Sequence, residues 1–454
     1  MGWGSHRRGM SFKVSSITGA AFCAVLLGVW ASSAQDQNSS ADHGDAGKMV
    51  ELLRERRYLE LERSLPGSNL TDSDRTFVEG IMANRRNQVA DSSRMLEPLL
   101  PSLSVANRPW AILALSALAD DYEKTFRYAD AADAYAELEK QYGSSMEEQE
   151  RKRVSREAAR WNALRDAPAQ TVEVTGPFIV PIRRNRVGLL EVPVQLGKVR
   201  ESLILDTGAN LSAISYSLAR RLGLRISTSA ATSRGIAGRQ MEVRTAIIPD
   251  LRLGQAKLKN VAVIVVDDDD LLVAGLHYRI PGSLGLPVLL ALGQVTFFAD
   301  NRFGVGVKPA TESQSPEENL FLQRLTPVIA AEVNREDRLF TIDTGATGSF
   351  FTIRYFLEHK REFNPQNAED FDLAGAGGGQ SYPSYATGKV DVRLGGACVA
   401  MNRIPVISVQ RGMSDDNFYG NIGQETLVRL KSYTFDFQKM RFSAEGNTCA
   451  VGTR

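Results

Sequence analysis

Cysteine and histidine are scarce in this chain, and neither sign of charge prevails. Its 454 residues include three cysteines and four histidines, and 54 basic residues stand against 53 acidic ones. So few cysteines exclude a disulfide scaffold or a cysteine-rich zinc module. The four histidines, His6 among them, leave little for a histidine-based metal site, and no metal or other cofactor is expected. A formal net charge of +1 lacks the basic excess that nucleic-acid binding needs. Apolar residues make up 43% and charged residues 24%, which excludes wholesale disorder and a polytopic membrane protein. There is no Gly-x-Ser-x-Gly elbow, no His-Glu-x-x-His helix and no phosphate-binding loop, which disfavours serine, zinc and phosphoryl chemistry. The length fits roughly three domains at about 150 residues each.

Ile17 to Trp30 is an uncharged, mostly apolar run preceded by Arg7, Arg8 and Lys13. It is shorter than the about 20 residues a membrane span requires. Small residues, Ala31-Ser32-Ser33-Ala34, follow it before Gln35. Residues 1–34 therefore read as a secretory signal peptide, and the chain as exported, periplasmic or secreted. An uncleaved N-terminal anchor is the alternative, and the one route by which a membrane would enter. Removal of 1–34 takes the net charge from +1 to −2 and leaves two cysteines, Cys398 and Cys449. In an exported chain that pair favours one disulfide over two separate buried thiols.

Residues 35–47 are polar and read as a linker. From 48 to 165 glycine is rare and apolar residues recur at spacings of three and four, which predicts helices. Trp110 to Tyr122 and Tyr128 to Tyr142 form the clearest pair, with Ala131, Ala132, Tyr135 and Leu138 on one face. The pair resembles a tetratricopeptide repeat, with weaker copies at Phe77–Leu100 and Met49–Leu65; an irregular helical domain is the alternative. After Asp166, β-branched runs alternate with Gly, Pro and Asn, as strands and turns do. Helical interruptions are expected at Tyr216 to Leu222 and Tyr355 to Arg361. The polar stretch from Lys308 to Asn319 divides this part into lobes at 172–308 and 320–447, with a linker at 309–319.

These lobes repeat each other. Leu203-Ile204-Leu205-Asp206-Thr207-Gly208-Ala209 matches Phe340-Thr341-Ile342-Asp343-Thr344-Gly345-Ala346, and Ser212 and Ser349 stand at the same offset behind them. Gly282-Ser283-Leu284-Gly285 matches Gly420-Asn421-Ile422-Gly423, and Thr296-Phe297-Phe298 matches Thr434-Phe435-Asp436. The separation is 137 residues at the aspartates and 138 at the later blocks. Separated blocks in one register mark a duplication. In each motif an apolar strand delivers an aspartate into a tight turn, and the glycine removes a Cβ that would crowd a close partner. The threonine hydroxyl can bond backbone of a neighbouring lobe. Two such carboxylates brought within about 3 Å cannot both ionise easily and share a proton. Such a pair can hold a water, one aspartate taking its proton while the other donates to a substrate carbonyl.

With two copies of Asp-Thr-Gly-Ala, each followed by a serine and an apolar-Gly element, the chain resembles the retropepsin-like aspartic proteases in tandem, over Val172 to Phe442. The resemblance implies a multidomain α plus all-β protein: a helical repeat-like domain, then two retropepsin-like β lobes forming a pseudo-twofold bilobal aspartic protease. It implies that Asp206 and Asp343 are the catalytic pair, supported by Thr207, Gly208, Thr344 and Gly345, with Leu284-Gly285 and Ile422-Gly423 packed behind. It also implies a flap over an extended polypeptide substrate, for which Gly235, Gly238, Gly377 and Gly378 are candidates.

The halves also differ. Leu286-Pro287 stands where the second half has Gln424-Glu425, and Gly395 to Ser414 has no clean counterpart. The run Asp267 to Asp270 reads as a solvated loop before a Ca²⁺ site, and His277 as an exposed or structural histidine. The expected function is an exported aspartic endopeptidase with an acid-shifted, bell-shaped pH profile, its helical domain a docking platform for substrate or a protein partner. A catalytically silent peptide-binding scaffold is the alternative. A third arrangement, each lobe pairing with the same lobe of another molecule, is disfavoured by the linker.

Overall fold

Helices fill the chain from Asp45 to Asn162, and strands take over from Thr171. The computed structural model describes residues 44–227, 231–234, 240–273, 276–307, 318–375 and 378–447. The expected signal peptide lies outside the described residues, as does most of each expected linker. No described helix is long and apolar enough to cross a membrane.

The helices pair as Asp45–Arg54 with Tyr58–Ser64, Asp72–Arg85 with Val89–Leu96, and Arg108–Lys124 with Tyr128–Tyr142. Each pair closes through one turn. Arg56, Asn87 and Phe126 adopt left-handed φ values of 58°, 57° and 59°. The N–H that follows each of them donates to a carbonyl five residues back: Arg57 to Leu52 at 2.8 Å, Gln88 to Ala83 at 2.8 Å and Arg127 to Tyr122 at 2.9 Å. This is the Schellman closure, here made without glycine. Asn107 caps the helix Arg108–Lys124 by accepting from the Trp110 N–H. Ala111, Ala114 and Leu118 on that helix and Ala131, Tyr135 and Leu138 on the next are all buried, so small and large side chains fill one core. Helix Glu148–Asn162 ends the series.

Each half of the β part delivers its aspartate in the same way. The hairpin Leu190–Leu196 with Val199–Leu205 leads to Asp206, and Val199–Leu205 runs parallel to Gly282–Leu284. The hairpin Pro327–Val333 with Glu336–Ile342 leads to Asp343, and Glu336–Ile342 runs parallel to Gly420–Ile422. Residues 397–407 also have a counterpart, which corrects part of the sequence reading. In the first half, Ala256–Val266 pairs back on Gln240–Leu253 and then runs parallel to Ser212–Ser215. In the second, Ala397–Asn402 pairs back on Lys389–Leu394, and Pro405–Ile407 runs parallel to Phe350–Phe351. A left-handed residue, Arg403 at φ 54°, splits that path in two and hides the match. The second expected helical interruption is found at Ile353–His359, starting earlier because Thr352 caps it.

A five-stranded sheet joins the halves, in the order Phe178–Pro181, Arg302–Val305, Gln294–Phe298, Ser432–Asp436, Arg441–Glu445. At its centre Thr296 pairs with Thr434, its own counterpart in the repeat, and their hydroxyls lie 2.9 Å apart. Asn319, expected to end a linker, belongs to the second half. It is buried, donates to the Phe442 carbonyl at 2.9 Å and accepts from the Phe442 N–H at 2.7 Å.

Helices and strands share a core as well. Leu211, Phe321, Val328, Leu339 and Phe418 pack in the cluster that the helices build. Arg86 crosses the boundary: it forks onto Glu62, donates to the Glu318 and Leu320 carbonyls and stacks 3.7 Å over the Phe321 ring.

Candidate active site

The two Asp-Thr-Gly turns meet. Thr207 N–H donates to Thr344 Oγ1 and Thr344 N–H donates to Thr207 Oγ1, both at 3.0 Å. Each hydroxyl then reaches back across the seam, Thr207 to the Ile342 carbonyl at 3.0 Å and Thr344 to the Leu205 carbonyl at 2.7 Å. Both threonines are fully buried. The glycines permit this approach: a Cβ placed on Gly208 would run into the Asp343 carboxyl, and one on Gly345 into the Asp206 carboxyl.

The supporting bonds repeat. Asp206 N–H donates to the Leu284 carbonyl at 3.0 Å, and Asp343 N–H to the Ile422 carbonyl at 2.9 Å. Ser212 and Ser349 accept from the Gly285 and Gly423 N–H groups, each at 3.0 Å. Gly285 and Gly423 in turn sit so close to the backbone of residues 209–211 and 346–348 that neither has room for a side chain. Within each turn the glycine N–H donates to the aspartate: Gly208 to Asp206 Oδ1 at 3.1 Å, Gly345 to Asp343 Oδ1 at 2.7 Å.

The carboxyls of Asp206 and Asp343 face each other across the seam, each against the other turn's glycine. Both are held above the usual carboxylate range. Burial is the larger cause for each, and for Asp206 the Asp343 charge adds to it. The backbone N–H groups of Gly208, Gly345, Ala209 and Ala346 oppose this by favouring the ionised forms. One proton on the pair satisfies both tendencies.

Of the flap candidates, Gly378 opens the strand Gly378–Ala386 with φ 119°, a conformation that suits glycine. Gly235, Gly238 and Gly377 lie outside the described residues, as does Cys449. Cys398 lies on Ala397–Asn402, and its N–H donates to the Asn447 carbonyl at 2.8 Å. The run Asp267 to Asp270 has local partners: Asp268 accepts from the Ser217 N–H and hydroxyl at 3.1 and 2.6 Å, and Asp269 pairs with Arg279. His277 is exposed in a turn.

Some neighbours of the site were not singled out from the sequence. Asn210, four residues after Asp206, lies against Thr326, in the turn just before the strand Pro327–Val333. Gln424 donates to the Thr344 carbonyl and accepts from Arg184. The only sequence signal for Gln424 was the mismatch with Leu286, and Arg184 gave none.

Residues 192–288 match the family model described as aspartyl protease, a stretch that includes the first Asp-Thr-Gly turn and Leu284-Gly285. No curated protein matches the chain. Among solved structures, the chain is similar to a retropepsin-like aspartic protease from Rickettsia conorii, with 20% identity over 29% of this chain and 99% of that one and a TM-score of 0.23.

Proposed function

We propose that the chain is an exported aspartic endopeptidase whose catalytic pair is Asp206 and Asp343. The observation that carries this reading is the reciprocal contact of the two turns, each glycine facing the other turn's carboxyl. An aspartate loop that served structure alone would not need its charge held against a second one, with burial raising both.

A pair with one proton holds a water between its carboxyls. The ionised carboxylate takes a proton from that water as its oxygen bonds the peptide carbon, and the protonated carboxyl donates to the carbonyl oxygen. The tetrahedral intermediate collapses as the C–N bond breaks and the dyad returns a proton to the nitrogen, releasing an acid and an amine. No covalent enzyme intermediate is formed. Activity requires the singly protonated pair, so the rate falls at both pH extremes.

The two halves then act as pseudo-twofold lobes of one site, with the hairpin Glu369–Gly375 and Gly378–Ala386 as one flap. The helical pairs, read as tetratricopeptide-like, present a docking surface for substrate or partner. Export and a Cys398–Cys449 disulfide complete the proposal; the bond from Cys398 N–H to Asn447 brings the segment before Cys449 to the right strand.

The test is incubation of the chain from Gln35 with an unstructured protein between about pH 3 and 8, beside Asp206→Asn and Asp343→Asn. Cleavage by wild type, lost in both variants, is the expected result. Peptide binding without cleavage at any pH would replace the hydrolase by the silent scaffold.

A further inference from the structure

A duplicated site should have equivalent halves, and at one position these differ in kind. After the apolar-Gly element the first half has Leu286 and the second Gln424. Gln424 is 4% exposed. Its Nε2 donates to the Thr344 carbonyl at 2.9 Å, and its Oε1 accepts from Arg184 Nη1 at 3.0 Å. A guanidinium only donates, so it fixes the amide with the oxygen toward Arg184 and the NH₂ toward the carbonyl. Arg184 is itself braced on the Gly188 carbonyl at 2.7 Å.

The Thr344 carbonyl and the Gly345 N–H belong to one planar peptide unit. A donor on the carbonyl fixes that plane and polarises the unit, which makes the N–H a stronger donor. That N–H reaches Asp343 Oδ1 at 2.7 Å, whereas Gly208 reaches Asp206 Oδ1 at 3.1 Å. The Leu286 side chain has no hydrogen to give the Thr207 carbonyl. A carboxylate that accepts the shorter bond is favoured in its ionised form. Asp206 is the ionisable group that faces Asp343 across the seam. On the far side of the peptide, Arg184 is bonded to Gln424, the buried Tyr433 hydroxyl lies beside that amide, and Glu425 accepts from the Ser349 N–H at 3.3 Å.

We propose that Gln424, oriented by Arg184, is a positioning residue that makes Asp343 the ionised member of the pair and leaves the shared proton on Asp206. The proposal rests on the dyad reading above and assigns its roles. Asp343 takes the proton of the attacking water as the new C–O bond forms. Asp206 gives its proton to the carbonyl oxygen, which receives the π electron pair. On collapse the proton held by Asp343 goes to the leaving nitrogen, and Asp206 recovers one from the diol.

The single asparagine variants isolate each carboxyl, and ¹³C titration of the side-chain carboxyls in the full chain reads them whether or not the protein cleaves anything. Asp343 in Asp206→Asn should titrate about one pH unit below Asp206 in Asp343→Asn. Adding Gln424→Leu to Asp206→Asn should raise the Asp343 midpoint by about half a unit. The same change in Asp343→Asn should leave Asp206 in place. Equal midpoints, or an Asp343 midpoint that Gln424→Leu does not move, overturn the proposal. If Gln424→Leu does not fold, Arg184→Met at the exposed end of the chain of bonds takes its place; an unmoved Asp343 midpoint there overturns it equally. In kinetics on an otherwise wild-type chain, Gln424→Leu should lower kcat about tenfold with KM within about twofold, and shift the acidic limb of the pH profile upward. A wild-type chain that cleaves nothing would remove the hydrolase reading and leave the titration to decide this one.

Discussion

In the first half of the repeat, the strand Ala231–Arg234 lies against the helix Glu148–Asn162. In the second half, the hairpin Glu369–Gly375 with Gly378–Ala386 turns mostly exposed residues outward. The helices hold the second half elsewhere. The tip of the hairpin formed by Leu320–Leu322 and Pro327–Val333 carries Arg324, at φ 56°, between Glu157 at 3.0 Å and Glu123 at 3.5 Å. Burial and the neighbouring acids push Glu123 up to about 7, although Arg324 opposes them. Burial works against ionised Glu157 too, yet Arg160 and Arg324 hold it down to about 2. The two halves are alike where their aspartates, threonines and glycines must meet and unlike where they meet the helices. The two turns match, whereas each half meets the helical part through a different element.

The most severe break of the likeness is at the aspartates. Asp206→Asn and Asp343→Asn should each lower kcat/KM by about 10³-fold or more, and the double variant little further, because the pair acts as one unit. A double variant whose loss is the product of the two single losses would mean the carboxyls act separately. Arg324→Met tests the unlike feature. It takes one of two arginines from buried Glu157, leaving Arg160 at 2.9 Å, and should cost about 3 kcal/mol in denaturant unfolding. A loss under about 1 kcal/mol would show the hairpin tip to be a surface contact. Gly208→Ala and Gly345→Ala should each cost about 3 kcal/mol, and by nearly equal amounts, since each new methyl meets the opposite carboxyl.

A finer comparison uses pH. Both carboxyls are raised in the folded protein, so the folded state holds protons the unfolded chain releases. Their stabilising contribution is complete below about pH 4, where free carboxyls titrate, and is lost as pH climbs through the raised folded-state values. Asp206→Asn should therefore melt higher than wild type near about pH 8 and show no such gain near about pH 4. The reverse order in thermal melts would mean that the pair is not strained by its charge. The smallest expected effect is at the seam. Thr296→Val removes one partner of the hydroxyl pair and should cost about 1 kcal/mol, matched by Thr434→Val.

The Asp-Thr-Gly turns and the later glycines were legible because local geometry dictates each residue: a strand, a turn, and no space for a Cβ. The same holds for Ser212 and Ser349, whose offset carries a bond to the next element. Gln424 was legible only as a difference. Its meaning needs Arg184, which is distant in the chain and belongs to no motif. Arg324 reads in sequence as an ordinary hairpin-tip arginine, and only the packing of two helices around it makes it an anchor. Asn319 sits at the end of a polar, proline-containing stretch, and its two bonds to Phe442 cannot be read from composition. The helix-closing turns at Arg56, Asn87 and Phe126 escaped because none of them uses the glycine that usually marks such an end.

The pairing of Thr296 with Thr434 has a consequence for assembly. An edge that binds its own copy does not distinguish which chain supplies the partner. The covalent tie between the halves makes the choice, by keeping the correct partner at high local concentration. Shortening the tie at residues 308–317 until it cannot span the seam would leave each edge to recruit the complementary half of a second molecule. Such a chain would exchange halves in a closed dimer, with each cleft built from two polypeptides and with activity that depends on protein concentration.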